Sequence, residues 1–281
     1  MKLWQQILLI ILATTAIGTW SLVFEGQKDG LLHIYALDVG QGDAIFIEAP
    51  NGNQVLVDGG PGNKILSSLD KVMSRADTTI DVVVLTHPDS DHIAGLLPVF
   101  EKYNIGQVVE GGGISDSDVY KKFVLARDAE VEHSAVVKAG DRIMLSEEAG
   151  IDIFAPENTI ATGGSNDATI IGKLFYRDVS LLLTGDVEKR GEARLLQSDL
   201  PLEASVLKVP HHGSRFSSNA AFLAAVKPVF SLLSVGRNNY GHPTPEALDR
   251  IDDTRSIIYR TDTLGTVHLL SDGSNFWVER E

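Results

Sequence analysis

The sequence predicts an α/β fold. Short apolar, β-branched runs recur at 80–85 (IDVVVL), 179–183 (VSLLL), 205–209 (SVLKV) and 229–235 (VFSLLSV), with the length and composition of buried strands. Each run ends in a polar turn that carries histidine or aspartate. Most of these turns lead into segments of helical character. The carboxyl ends of strands are where α/β folds place their sites.

The chain has 281 residues, room for one large domain or two small ones, and an ordinary globular share of hydrophobic residues, 43%. It has no cysteine, so neither disulfides nor thiolate ligands are available, which fits an oxidising compartment. The formal net charge is -14. Such a surface repels nucleic acid unless the charge is locally inverted, which counts against a nucleic-acid function.

Residues 1–24 form a separate unit. Lys2 is the only charge before Glu25, and 3–24 is mostly apolar. A helix of about 20 residues spans a hydrocarbon core, and Trp4 and Trp20 are spaced for the two interfacial belts. The segment reads as a single-pass transmembrane anchor; a cleaved signal peptide and a buried core helix are the alternatives. Anchor or signal places the following domain outside the bacterial cytoplasmic membrane, tethered in one case and secreted in the other. Residues 25–30 (EGQKDG) read as a polar linker and 31–281 as the domain.

Strands come first, at 32–39, 44–48 and 54–57, with Asn51-Gly52 as a hairpin turn. The third ends in Asp58-Gly59-Gly60, a carboxylate on a glycine turn that lets backbone approach closely. A helix over 65–75 precedes the strand at 80–85. Then comes Thr86-His87-Pro88-Asp89-Ser90-Asp91-His92, in the turn where a strand ends and a helix begins. A simple N-cap explains one carboxylate there, but not two aspartates and two histidines within six residues. Histidine nitrogen and carboxylate oxygen are ligands for borderline and harder divalent ions. In an extended turn this spacing presents two groups to one ion and two to its neighbour.

Further on, 96–103 and 117–128 read as helices and 106–110 as a strand, with short strands over 131–154. His133 reads as a surface histidine, His33 and His268 as structural ones. The strand at 179–183 delivers Asp186 behind Gly185 to the same sheet edge, and a carboxylate has two oxygens with which to bridge two ions. A helix over 188–197 follows. The strand at 205–209 ends in His211-His212-Gly213. Neighbouring side chains of an extended chain point to opposite faces. One of the two, His212 by preference over His211, is therefore expected to bind metal and the other to hydrogen-bond or meet substrate. After 229–235 a loop carries Arg237, Asn238, Tyr240 and His242 ahead of a helix over 243–252, bringing a cation and donors that suit an anionic substrate group. Strands at 256–259 and 266–270 complete the pattern.

The turn at 86–92 resembles the H-x-[HD]-x-D-H signature of the metallo-β-lactamase fold, in the variant with aspartate third and Ile-Ala-Gly following. From about 31 to 278, the order D-V-G-Q-G-D, D-G-G, T-H-P-D-S-D-H, L-L-T-G-D, V-P-H-H-G-S, N-x-Y-G-H-P and Y-R-T-D resembles the hydrolase domain of ComEC-type competence proteins. The resemblance implies an αββα sandwich, two mixed β-sheets face to face with helices outside and the site at the shared edge. It implies two divalent ions, Zn²⁺ or Mn²⁺, one held by His87, Asp89 and His212, the other by Asp91, His92 and His242, with Asp186 between them. Asp58 would support the ligands from behind. Asn166 stands where most such enzymes carry a histidine ligand and is expected to hydrogen-bond instead. Two ions lower the pKa of a bridging water, so hydroxide exists near neutral pH to attack a phosphorus held in line. With at most one candidate span in the chain, a transport channel is not expected. Phosphodiesters, DNA among them, are the expected substrates. Another ester, lactone or amide is the alternative, and a non-catalytic metal-binding module the third reading.

Overall fold

The elements in chain order are β1 (Leu32–Ala36), β2 (Ile45–Glu48), β3 (Gln54–Val57), α1 (Lys64–Val72), β4 (Thr79–Leu85), the one-turn α2 (Ser90–Ile93), α3 (Leu96–Lys102), β5 (Asn104–Glu110), α4 (Asp118–Glu130) and β6 (Ser134–Val136). They continue with β7 (Arg142–Met144), β8 (Ala149–Ala155), β9 (Ile171–Tyr176), β10 (Val179–Leu183), α5 (Lys189–Gln197), β11 (Val206–Lys208), α6 (Ala220–Val226), β12 (Phe230–Leu233), α7 (Pro245–Asp252), β13 (Ile257–Arg260), α8 (Thr261–Leu264), β14 (Val267–Ser271) and β15 (Phe276–Glu279). The computed structural model describes residues 29–158 and 169–279, and before them only residues 4, 5, 12 and 14.

Two mixed sheets result, ordered β15-β14-β1-β2-β3-β4-β5-β6 and β13-β12-β11-β10-β9-β8-β7. In the first, β1 to β3 are antiparallel and β3 to β6 parallel. In the second, β7 to β10 are antiparallel and β10 to β13 parallel. Parallel strands are covered on both faces, which is why 80–85 is an unbroken apolar run rather than an alternating one. Val84 faces the second sheet, together with Ile34, Ile47 and Val55, against Ile151, Leu174, Leu181 and Val206. Val83 and Leu85 face outward onto Ile65 and Leu69 of α1, Val99 of α3 and Phe123 of α4. On the far side, Leu182, Leu207 and Leu233 pack under Leu195, Phe222 and Ile251 of α5, α6 and α7. Helix, sheet, sheet, helix is the αββα order that the motifs imply.

The expected strands and helices are present with bounds shifted by a few residues. Three elements were not foreseen: the alanine-rich α6, which follows Asn219, the one-turn α8 and the short edge strand β15. The reading of a single-pass anchor over 1–24, with the domain outside the cytoplasmic membrane, is corrected. Among the described residues no helix is long and apolar enough to cross a membrane. Nearly all of 1–24 lies outside the described residues.

The carboxyl ends of the parallel strands of both sheets meet at one edge. Ile170 N–H donates to the Thr86 carbonyl at 2.9 Å, tying the segment ahead of β9 to the end of β4, and His211 N–H donates to the Gly185 carbonyl at 3.1 Å. The turns after β3 and β4 lie backbone against backbone. Gly59 N–H donates to the His92 carbonyl at 2.7 Å, and Gly95 N–H to the Gly60 carbonyl at 2.9 Å. A Cβ on Gly95 would fall on the Gly59 carbonyl oxygen. Gly95→Ala therefore forces these turns apart and is expected to lower stability by ~1–3 kcal/mol. A urea melt tests this: the midpoint should fall with the slope unchanged, and an unmoved midpoint would show that the contact does not matter.

Candidate metal centre

Four histidines converge on one buried carboxylate. Asp186, delivered by β10 through the Thr184-Gly185 turn, is 3% exposed. Its Oδ1 lies 3.4 Å from His92 Nε2 and 3.6 Å from His212 Nε2. Its Oδ2 lies 3.8 Å from His87 Nε2 and 3.7 Å from His211 Nε2. Two aspartates extend the two sets: Asp89 Oδ2 is 3.6 Å from His87 Nε2, and Asp91 Oδ2 is 3.5 Å from His212 Nε2.

Each ring is fixed through its other nitrogen. Thr86 Oγ1 donates to Asp58 Oδ2 at 2.6 Å, so toward His87 Nδ1, 3.0 Å away, the hydroxyl is an acceptor. His92 Nδ1 donates to Asp58 Oδ2 at 2.8 Å, and His212 Nδ1 to the Ser234 carbonyl at 2.9 Å. His211 Nδ1 donates to Glu188 Oε1 at 3.1 Å. With every Nδ1 committed, all four Nε2 atoms turn toward Asp186. This is how metal-binding imidazoles are oriented: the second N–H goes to a carboxylate or carbonyl. Asp58, itself held in the left-handed region at φ 59, also accepts the Thr86 N–H at 2.8 Å. It thus supports the ligands in the way the D-G-G motif implies.

The Pro210–Gly213 turn departs from expectation. His211 and His212 both have positive φ, 48 and 51, and Gly213 follows at 79. Successive left-handed residues abolish the alternation of an extended chain, so both rings reach Asp186, one at each oxygen. Holding a non-glycine residue there costs about 1–3 kcal/mol. The turn is braced by Ser214 N–H to the His211 carbonyl, Ser217 Oγ to the Pro210 carbonyl and Thr244 N–H to the Gly213 carbonyl, each at 2.9 Å. His212 consequently joins Asp91 and His92 rather than His87 and Asp89, and His211 takes the place expected of His212. The His242 ring lies edge-on against His211, centroids 5.4 Å apart, within reach of the charges of Asp186 and Asp91. Asn238 is spent inside its own loop, where its amide donates to the carbonyls of Gly236 and His242 and accepts from the N–H of Tyr240 and His242. Arg237 and Tyr240 face solvent. Asn166 lies outside the described residues.

The donor set fits divalent cations. Ligand atoms about 2 Å from a tetrahedral ion stand about 3.3 Å from one another, close to the spacings above. His87 Nε2, His92 Nε2, His212 Nε2 and Asp186 Oδ1 are buried without a hydrogen-bond partner, a costly arrangement unless a cation completes it. One ligand atom each from His87, His92 and Asp186 lies within 4.8 Å of the others, as for Asp91, His92 and His212. Burial opposes charge on His92, but Asp186 and Asp58 outweigh it and raise its pKa well above the usual histidine value. For His212, burial is again overcome, by Asp186 and Asp43, and the pKa is pushed up to about 9. Burial likewise opposes charge on Asp186, yet His212 and His92 hold its carboxyl well below the ordinary range. Carboxylates and imidazoles thus compensate one another's charge. His242 goes the other way: burial and the neighbouring His211 and His212 lower its pKa.

Sequence reasoning assigned Glu188 to the start of a helix, and it orients His211. Asp43, the last residue of the D-V-G-Q-G-D motif, is buried beside His212 with Lys208. A lysine within the apolar run SVLKV was the available signal.

Known proteins agree with this geometry. Residues 37–237 match the model of the Metallo-beta-lactamase superfamily. The chain is 28% identical over 263 residues to ComE operon protein 3 of Bacillus subtilis, covering 86% of this chain and 33% of that protein. It is 26% identical over 267 residues to Recombination protein 2 of Haemophilus influenzae, covering 92% and 31%. The chain thus spans about a third of the length of these curated relatives. Among solved structures, the metallo-beta-lactamase fold protein YhfI of Bacillus subtilis superposes with a TM-score of 0.58 at 11% identity, covering 85% of this chain and 99% of that one. Zn²⁺-bound PqqB of Methylobacterium extorquens does so with 0.51 at 14%, covering 80% and 87%. At such identities the structures speak for the fold alone. The matched span contains the β4 turn, Asp186 and the His211–His212 turn, and the chain belongs to the Metallo-beta-lactamase superfamily of metal-dependent hydrolases.

Proposed function

We propose that residues 31–281 form a two-ion hydrolase that acts on phosphodiesters. The observation that carries this reading is Asp186: each of its oxygens faces its own pair of histidines, with an aspartate beside each pair. We assign His87, Asp89 and His211 with Asp186 Oδ2 to one ion, and Asp91, His92 and His212 with Asp186 Oδ1 to the other. The ligands are nitrogen and oxygen without sulfur, a set that Zn²⁺ and Mn²⁺ both accept. Divalent ions held there supply Lewis acidity toward an ester oxygen and make water a nucleophile near neutral pH.

The protein's own groups do the rest. Asp89, Asp91 and His211 are the partly exposed members of the two sets, so substrate enters on their side. His242, kept neutral by burial and its histidine neighbours, stands beside His211 at the rim. Arg237, exposed on the same loop, offers a guanidinium to the anionic phosphoryl group and offsets charge that develops on it. Two-ion clamps are the common device for in-line displacement at phosphorus. A relative named for recombination makes DNA the first polymer to try. The net charge of -14 favours a second reading, an uncharged carboxylic ester, lactone or amide.

Hydrolysis of bis(p-nitrophenyl) phosphate with Zn²⁺ or Mn²⁺ tests the proposal. His87→Ala and Asp91→Ala are each expected to bring turnover to background while the circular dichroism spectrum stays native. Undiminished turnover in either variant sinks the two-ion assignment. Stoichiometric metal with no diester cleavage moves the activity to carboxylic esters. Chelation should abolish turnover reversibly, with readdition of the ion restoring it; activity that survives dialysis against a chelator to zero metal content would exclude an ion-dependent mechanism. Asp58→Asn sets an amide donor against the N–H groups that the carboxylate accepts. It should weaken metal binding by about 10–100-fold, read by titration of the metal-free protein; unchanged affinity would mean that Asp58 does not orient His92.

A further inference from the structure

One buried ion pair beside the ligands has no part in the scheme above. Lys208, at the end of β11, is 1% exposed, and Asp43, on the turn between β1 and β2, is 3% exposed. Lys208 Nζ lies 2.7 Å from Asp43 Oδ2 and donates to the Val209 carbonyl at 2.9 Å. The pair crosses from the second sheet to the first at the edge where the ligands gather. Removing an ammonium and a carboxylate from water costs several kcal/mol each, and apolar replacements of such pairs are often as stable or more so. A cation beside a cluster suited to cations also opposes their binding. Neither stability nor charge attraction accounts for the lysine.

The second oxygen of Asp43 does. Oδ1 is buried with no hydrogen-bond partner and lies 3.4 Å from His212 Nδ1. One ligand atom each of Asp43, Asp186 and His212 falls within 4.8 Å of the others, and the same holds for Asp43, Asp58 and His92. Asp43 is therefore near enough to become a ligand. It faces the Nδ1 edge of His212, however, whereas Nε2 faces Asp91 and Asp186. With Oδ2 tied to Lys208, the carboxylate has no freedom to swing round. The turn itself is pressed against the ligand loop, since a Cβ on Gly42 would meet the Asp91 carbonyl oxygen.

We propose that Lys208 is a positioning residue that holds the Asp43 carboxylate behind His212 and out of the coordination sphere. An ion held by Asp91, His92, His212 and Asp186 would then keep a position free for substrate, while Asp43 lends negative charge to the Nδ1 side of the imidazole. This rests on the two-ion reading. Without the ammonium, Asp43 is a bare buried carboxylate beside a dication, and coordination is its most favourable escape.

Co²⁺ uptake by the whole protein, followed by visible absorption and by titration, tests this in the wild type, Lys208→Met and Asp43→Ala/Lys208→Met. Co²⁺ absorption weakens as its coordination number rises. The expected result is weaker absorption per ion in Lys208→Met and return of the wild-type spectrum in the double variant. In the double variant one of the two ions is held about ten-fold more weakly, because the His212 ring, still oriented by the Ser234 carbonyl, has lost the carboxylate charge behind it. A Lys208→Met protein with wild-type spectrum and affinities overturns the positioning role, even where it melts earlier. Should Lys208→Met not fold, the double variant decides, and unchanged affinity for both ions overturns the proposal. Failure of the wild type to take up Co²⁺ overturns the two-ion reading itself, and the positioning role with it.

Discussion

The arrangement depends on a carboxylate that faces four imidazoles in a place without water. Asp186 is nearly inaccessible, and so are His87, His92 and His212. In such surroundings an ionised group is tolerated only when it is paired and hydrogen-bonded. The requirement dictates everything around it. Each imidazole is tied from behind by a hydroxyl, a carboxylate or a carbonyl, and the turns that carry them are locked to one another through backbone hydrogen bonds.

The sandwich supplies the means. The parallel strands of both sheets end at one edge, so five strand ends, those of β3, β4, β10, β11 and β12, deliver polar turns to one place without any strand bending out of its sheet. Apolar layers on both faces of each sheet hold those ends in register. Glycine is required where turns touch: Gly95 against Gly59, Gly42 against Asp91. The motifs D-V-G-Q-G-D and D-G-G are thus contact surfaces for the ligand loop as much as carriers of carboxylates. The strain in the His211–His212 turn belongs to the same logic, since three neighbouring turns hold it in a conformation that an isolated peptide would leave.

The chain carries 38 acidic against 24 basic side chains, yet charge at the site is balanced by local pairing. Glu188 answers His211, Asp58 answers His92, and Asp43 answers both Lys208 and His212. Net charge therefore says little about which ions the site holds. It bears on approach: an anionic polymer reaching this edge must find cations there, and Arg237 on the His242 loop is one that the structure leaves facing solvent.

By itself the sequence determined the αββα class, most strands and helices, and the residue types of the site. Buried parallel strands write themselves as unbroken apolar runs, and a metal turn concentrates histidine and aspartate within a few positions. The places of Asp58 and Asp186 were implied by the order of motifs and its family resemblance, not by the local signals. Tertiary structure decided the partners. Whether His211 and His212 point apart or together depends on backbone angles that neighbouring turns impose, and residue order is silent on this. The assignment of His212 to Asp91 and His92, the edge-on place of His242, and the inward use of the Asn238 amide follow from how loops from different strands pack. Lys208 and Asp43 are 165 positions apart by their numbering, and only the meeting of the two sheets makes them a pair. Short-range patterning encodes which elements form and what chemistry they carry; the geometry of a site assembled from five strand ends exists only once the apolar layers have closed.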